Sequence, residues 1–358
     1  MSAPSFLLAS LPSAAQLAAH WPWLAVAALS AGALAALLRH ALADADLAAL
    51  AALRRYPRRG AFAGQVVLIT GGSSGIGEAL AYEFARGGAT VVVAARRMEE
   101  LLRVTKRCVE EGAAGAEALQ LDATAFARHE AVVAHVIRKH KKIDVLCNNA
   151  GRSQRGLVEK TPLAVDKEMF DLNVFGVMNF TRAVLAHALA PGAPPLRICN
   201  TSSVAGKVGS PVSASYAASK HALQGFFDSL RMELGWRGVS VTNCCPGPVQ
   251  SDITLNSFTD TPGKAFGVKE DGSKRMTAER CALLMAAAVH GGLHEVWLSP
   301  QPILFFVYVA QYAPWLYYLL GPRMGRQRVE GWLRGTPGYN SLSLAKAFSG
   351  PAAAAKEE

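Results

Sequence analysis

The sequence predicts an α/β protein, a doubly wound parallel sheet with helices on both faces. Three features carry that prediction. Apolar, β-branched runs of strand length, such as Gln65 to Thr70 and Thr90 to Ala95, alternate with longer stretches of helical period. The first run leads directly into a glycine-rich turn, Gly71-Gly-Ser-Ser-Gly-Ile-Gly77, and then into a helical pattern from Glu78 to Arg86. The 358 residues are 51% hydrophobic and 18% charged, which excludes a disordered body, and neither a linker nor a repeat divides the middle. Sheets of this kind often hold ~250 residues in one domain, so residues 62–300 read as a single domain with added ends.

Residues 1–20 contain no Lys or Arg. Trp21 to Leu38 is uncharged, and its 18 residues approach the ~20 of a membrane-spanning helix. A secretory signal begins with a basic region, so a retained transmembrane anchor over residues 21–38 is favoured over a cleaved signal. An Ala-rich helix packed on the domain is the third option. Residues 39–61 read as a basic linker with Arg39, Arg54, Arg55, Arg58 and Arg59. Because these charges follow the anchor and none precedes it, the positive-inside rule puts the main domain in the cytosol.

The glycine turn has the chemistry of a nucleotide site. Gly71 permits a tight turn, Gly75 lets backbone approach a pyrophosphate, and Gly77 lets helix pack close to strand, while free amides at the helix N-terminus face the phosphates. Its spacing is looser than G-x-G-x-x-G, so on its own a bare glycine-rich turn is the alternative. The second strand then ends in Ala95-Arg96-Arg97, where an acidic side chain would hold the ribose hydroxyls of NAD. With no carboxylate there, and with the Arg96 guanidinium able to grip a 2′-phosphate, the pattern favours NADP(H) over NAD(H).

Further along, Tyr216-Ala-Ala-Ser-Lys220 places a phenol and an ammonium four positions apart, on one face of a helix. A nearby cation lowers a phenol from its ordinary pKa of ~10 toward the range of a general acid/base. Ser203 supplies a hydroxyl for the same substrate oxygen. Ser202 and Ser219 compete for that role, but strand alternation turns Ser202 away and Ser219 lies inside the helix. Taken alone, Tyr-x-x-x-Lys also suits an exposed helix pair.

With these motifs in order over residues 62–300, the chain resembles the short-chain dehydrogenase/reductase superfamily. The resemblance implies a Rossmann-type seven-stranded parallel sheet. It implies cofactor contacts at Gly71, Ser73, Ser74, Gly75, Ile76 and Gly77, at Asp122 in Leu121-Asp-Ala-Thr124, and at Asn149 in Asn148-Asn-Ala-Gly151. Pro246-Gly247 matches the turn beside the nicotinamide. Asn173 falls at the fourth catalytic position beside Ser203, Tyr216 and Lys220, where it is implied to hold a water linking Lys220 to solvent. Lys220 is also implied to bind the nicotinamide ribose. Ser153-Gln-Arg155, Lys220 to Phe227, Cys245 to Ser251 and Glu295 to Ser299 resemble a membrane-bound subfamily, member 7 of the dehydrogenase/reductase group, associated with steroids and retinoids. That implies a lipophilic small-molecule substrate, the endoplasmic reticulum membrane, and a homodimer built on helices around Asp166 to Ala190 and Ser213 to Arg237.

At the C-terminal end, Pro302 to Leu320 is rich in Phe, Tyr and Trp but broken by Gln311 and Pro314, so residues 301–322 read as two short interfacial helices and 323–358 as a basic, then flexible tail. A helix capping the core or a dimer contact is the alternative. The net charge of +10 is dispersed, clusters beside the apolar ends, and comes with no nucleic-acid motif. The six cysteines show no metal or disulfide spacing, and His129, His135 and His140 read as solvated surface. The expected function is reversible hydride transfer between NADP(H) and a carbonyl or alcohol of a lipophilic substrate. The alternatives are a 3-ketosphinganine or other long-chain ketone reductase, and an idle NADPH-binding sensor.

Overall fold

The computed structural model describes residues 21, 23, 25–27, 29–32, 42–268 and 275–335. The chain divides into two units, residues 1–43 and 44–358. In the first, the described residues between 21 and 32 are helical. The expected N-terminal segment 1–20, the rest of the expected anchor, residues 39–41 and the tail beyond 335 lie outside the described residues. Among those described, no helix is long and apolar enough to cross a membrane.

The second unit is built on seven parallel strands: β1 Val66–Thr70, β2 Thr90–Ala95, β3 Gly115–Gln120, β4 Val145–Asn148, β5 Leu196–Thr201, β6 Val239–Pro246 and β7 Glu295–Leu298. Their order is β3-β2-β1-β4-β5-β6-β7. From β1 the chain winds outward to β3 and then returns to place β4 beside β1, which opens a crevice at the carboxyl ends of those two strands. Strand alternation splits the core in two. Val67 and Ile69 of β1 face one side, with Val91, Val93, Val145 and Cys147, under helices α2 (Gly75–Arg86) and α3 (Met98–Glu110). Leu68 faces the other, with Val92, Leu146 and Ile198, under α4 (His129–His140), α6 (Gly176–Ala188) and α7 (Ala214–Leu234). Between α4 and α6 runs α5 (Leu163–Phe170), and α8 (Ala278–His290) covers the first side. The central strands are buried on both faces, as a parallel sheet requires.

The stretch expected as a basic linker is instead partly folded onto this unit. Helix α1 (Leu47–Arg55) starts at Asp46, whose carboxylate accepts the Ala49 amide at 2.8 Å. The Asp46 amide also donates to the Trp297 carbonyl of β7 at 2.9 Å. Arg58 meets the Glu83 carboxylate through Nε at 3.0 Å and Nη2 at 2.8 Å. Glu83 is only 1% exposed, and a buried carboxylate demands such partners. The histidines also depart from expectation. His129 is fully buried, its ring edge-on to Phe180, while His135 and His140 both meet Glu117 through Nε2, at 2.9 and 2.6 Å. The apolar end forms two helices, α9 (Ile303–Tyr312) and α10 (Pro314–Leu333), parted at Ala313 where Pro314 begins the second. Helix α10 continues past residue 322, so the basic residues expected to open the tail are helical down to Leu333. All six cysteines are free and buried.

Candidate active site

The site begins at the turn after β1. Gly71 sits in the left-handed region, and a Cβ there would lie 2.8 Å from the Ala150 backbone. A Cβ on Gly77 would lie 2.3 Å from the Gly71 carbonyl, so helix α2 can approach the turn only with glycine at that position. From the end of β4, Asn149 braces the turn: Nδ2 donates to the Gly71 carbonyl at 3.2 Å and Oδ1 accepts from the Thr201 hydroxyl at 3.0 Å. Ser74 precedes α2 without capping it through its side chain, which leaves the first amides of the helix for a ligand. Its hydroxyl instead accepts from Arg97 Nη2 at 2.9 Å, and the Ser73 hydroxyl does so at 3.1 Å. Thus Arg97, the second of the strand-end pair, meets the glycine turn, while Arg96 lines the same cavity nearer Asp122. Burial raises the Asp122 carboxyl, but the Thr124 amide and hydroxyl and the Arg96 charge outweigh it and hold the group below its usual range.

At the crevice centre, Tyr216 and Lys220 rise from α7, with the Lys220 ammonium 5.7 Å from the centre of the Tyr216 ring. The ammonium donates to the Thr201 carbonyl at 2.8 Å. Burial pulls the Lys220 pKa down to about 8, weakly opposed by Cys245. Burial likewise pushes the Tyr216 phenol above its ordinary value, against a hydrogen bond from Ser203 and the charge of Arg155, with Cys245 adding to the rise. Arg155, which lines the same cavity, thus joins Lys220 as a cation near the phenol. Ser203 caps the short 3₁₀ turn Val204–Gly206, accepting the Ala205 amide at 3.1 Å, and donates to the Pro246 carbonyl at 3.3 Å. Pro246 and Gly247 line the cavity, and a Cβ on Gly247 would collide with Ser299. Ser202 points away, accepting from Gln224, and Ser219 donates to the Tyr216 carbonyl within α7.

Asn173 lies fully buried in a π-helical stretch, Asp171–Phe175, between α5 and α6. Such bulges are frequent where a helix serves a site. Its Nδ2 donates to the Arg152 carbonyl at 2.9 Å and to the Ser219 hydroxyl at 3.1 Å, and its Oδ1 accepts the Arg152 amide at 3.0 Å. Arg152 in turn stacks over Phe258, 4.5 Å from the ring centre, and donates to the Asn256 carbonyl at 2.6 Å. The backbone between residues 153 and 155 also pairs with Phe258 on both its amide and carbonyl. These contacts tie the loop after β6 to Asn173 through Arg152.

One cavity of about 1290 Å³ runs from Gly71 and Arg97 past Ser203 and Tyr216 to Phe306, Tyr318 and Arg328. Single-ligand pockets are ordinarily ~300–1,000 Å³, so there is room for two molecules side by side. Toward α9 and α10 its wall is formed chiefly by Val204, Ile303, Phe306, Val307 and Met324, with Arg328 among them. Helices α9 and α10 hold this wall, joined to the strand-five loop by Gln311 Nε2 to the Lys207 carbonyl at 3.0 Å.

Residues 65–262 match the family profile described as short chain dehydrogenase. The chain belongs to the short-chain dehydrogenase/reductase family. It is 40% identical over 324 residues to the human Dehydrogenase/reductase SDR family member 7, covering 89% of this chain and 95% of that relative. The mouse protein of that name is 41% identical over 301 residues, 83% and 88% of the two chains. An alcohol dehydrogenase from the archaeon Thermococcus sibiricus, solved with 5-hydroxy-NADP, shares the fold with a TM-score of 0.56 at 21% identity, over 66% of this chain and 97% of that one. As a short-chain dehydrogenase/reductase, this chain is an oxidoreductase acting on CH–OH groups, with a nicotinamide cofactor and a small-molecule substrate. The residues present fit that cofactor: a Cβ would fill the cradle at Gly71 and Gly77, and the hydroxyls of Ser73 and Ser74 gather a guanidinium beside it. In the sequence Arg97 stands out only as the partner of Arg96, and Arg155 only as part of a subfamily run. Both are charges inside motifs already singled out, which is the signal that marked them. The Thr201 carbonyl, being backbone, left no trace in the sequence.

Proposed function

We propose that this chain is a membrane-associated, NADP(H)-preferring reductase/dehydrogenase that interconverts a ketone or aldehyde with an alcohol on a lipophilic substrate of steroid, retinoid or similar type. The observation that carries the lipophilic assignment is the group of apolar side chains, Ile303, Phe306, Val307 and Met324, that α9 and α10 bring to the cavity wall. The bound nicotinamide supplies the hydride. Tyr216 gives the carbonyl oxygen its proton in reduction and takes it back in oxidation. Ser203, which lines the same cavity as Tyr216, fixes that oxygen and stabilises charge developing on it. Lys220 holds the ribose hydroxyls and supplies positive charge to Tyr216 as the pocket fills. The side-chain atoms of Asn173 are spent on Arg152 and Ser219, so the water linking Lys220 to solvent falls to its main-chain carbonyl in the π-helical turn. Asp122 and Asn149 serve the adenine side and the glycine turn.

For the 2′-phosphate, Arg97 is the stronger donor and Arg96 its neighbour, with no carboxylate at the end of β2 to repel it. Membrane association is supported by the exposed aromatic residues Phe305, Tyr312, Trp315 and Tyr318 on α9 and α10, near Arg323 and Arg326. An anchor over residues 21–38, an endoplasmic reticulum location with the domain in the cytosol, and a homodimer through the α6 and α7 region complete the reading. Exposed Met232 near the end of α7 and Trp236 in the 3₁₀ turn that follows it suit such a contact. The test is NADPH consumption by the full chain in detergent micelles against steroid, retinoid and long-chain carbonyls. Turnover of a lipophilic carbonyl with a preference for NADPH over NADH is expected. NADPH binding without turnover of any of them would point to a sensor and end this reading.

A further inference from the structure

Arg155 is 9% exposed in the wall of the cavity that Tyr216 also lines, and its charge acts to lower the phenol against the effect of burial. It is held there by three oxygens: Nη1 donates to the Ser153 hydroxyl at 2.9 Å, the Gln154 carbonyl at 2.9 Å and the Ser213 hydroxyl at 3.0 Å. Ser213 occupies the N-cap of α7, where a serine ordinarily accepts a helix amide, yet it makes no such bond. Its hydroxyl donates to the Gln154 carbonyl at 2.8 Å and accepts from Arg155. The preceding residue, Val212, has a φ of +65°, strained for a β-branched side chain, and its carbonyl accepts the Gly156 amide at 3.1 Å. A forgone cap and a strained valine, three and four residues before Tyr216, both serve to lock the start of α7 onto the segment that carries Arg155. Strain of this kind persists where the surroundings enforce it, commonly at functional sites.

We propose that Arg155 is a positioning residue of this active site, a buried cation clamped between residues 153–154 and the α7 N-cap so that its charge stands beside the Tyr216 hydroxyl. The inference rests on Tyr216 as the proton-exchanging group. The other groups facing that phenol are the Ser203 hydroxyl, the Cys245 thiol, itself pushed up to about 12 by burial, and Lys220, whose ammonium is engaged by the Thr201 carbonyl. Of the two cations, Arg155 is the one whose charge is permanent, since a guanidinium keeps its proton in proteins while Lys220 loses its own near pH 8.

The experiment follows the Tyr216 ionisation by NMR in the ligand-free full chain carrying ¹³Cζ-tyrosine, with the resonance assigned by its loss in Tyr216→Phe. Arg155→Gln, which keeps a donor but no charge, is expected to shift the titration upward by ~1 pH unit or more, and Arg155→Met to do the same. Arg155→Lys is expected to return most of that shift, which a purely structural role would not do. Should Arg155→Met fail to fold, the Gln and Lys pair decides the question. Equal titration curves for wild type and Arg155→Gln, flat curves included, would overturn the proposal, as would an Arg155→Lys curve no closer to wild type than that of Arg155→Gln. Turnover by Tyr216→Phe, by contrast, would overturn the role of Tyr216 while leaving the Arg155 titration result standing, so the two failures are distinguishable.

Discussion

The Lys220 ammonium donates to the Thr201 carbonyl at 2.8 Å, a bond that joins helix α7 to the end of strand β5. Because Lys220 is 5% exposed, that bond coexists with a desolvation cost that pulls its pKa from 10.5 to about 8. The folded chain therefore binds this proton less tightly than the unfolded chain. Between about pH 8 and 10.5 the unfolded state carries more protons, so this group makes stability rise with pH across that window and penalises folding below it. Comparing Lys220→Met with wild type by denaturant unfolding at pH 7 and pH 10 checks the sign. The variant is expected to gain relative stability at pH 7, on the order of 3 kcal/mol before the lost Thr201 bond is subtracted, and to lose that advantage by pH 10.

The same ionisation shapes activity. The phenol lies above its ordinary pKa and stays protonated at neutral pH, so on the proposed mechanism Lys220 is expected to set the alkaline limb of kcat/KM for carbonyl reduction. The profile is expected to fall as pH rises through about 8, and Lys220→Arg is expected to move that limb beyond the measurable range. A limb that stays in place in Lys220→Arg would assign it to another group.

Arg97 supplies the cofactor prediction. Its guanidinium already gathers the Ser73 and Ser74 hydroxyls at 3.1 and 2.9 Å. Arg97→Ala is expected to raise KM for NADPH about tenfold or more, with little change in KM for NADH, because a charge-assisted hydrogen bond contributes ~1.5–3 kcal/mol. Steady-state kinetics with both cofactors check it, with Arg96→Ala expected to give the smaller effect.

Arg58 supplies the stability prediction. Glu83 is 1% exposed and shared between Arg58 at 2.8 Å and Arg86 at 3.3 Å. Arg58→Ala leaves the carboxylate with the weaker partner alone, so a loss of about 1–3 kcal/mol is expected, read as a lower midpoint in urea. Because Arg58 is remote from the cavity wall, kcat is expected to hold.

The sheet and the glycine turn were legible because their signals are local: β-branched runs, glycines where a Cβ would collide, and a phenol and an amine one turn apart. The break between α9 and α10 was legible for the same reason, since Pro314 lacks the amide a continuing helix needs. What stayed hidden depends on long-range partners. The linker reading failed because Glu83 is buried on a face of α2 that nothing local identifies, and His129 is buried by Phe180 from another helix. A second cation near Tyr216 was hidden for the same reason. Spacing brought Lys220 near the ring, but only the fold brings Arg155, some sixty residues earlier in the chain, to the same phenol and hands the Lys220 ammonium to a backbone carbonyl.

The most direct test of the central claim, that Tyr216 exchanges the proton on the substrate oxygen, is the rate of NADPH oxidation in a single turnover by Tyr216→Phe. The substrate is the carbonyl that wild type reduces fastest, and NADPH affinity is measured alongside. A loss of ~10²–10⁴-fold in rate with NADPH binding retained is the predicted result. A variant that binds NADPH normally and turns over at near wild-type rate would contradict the account.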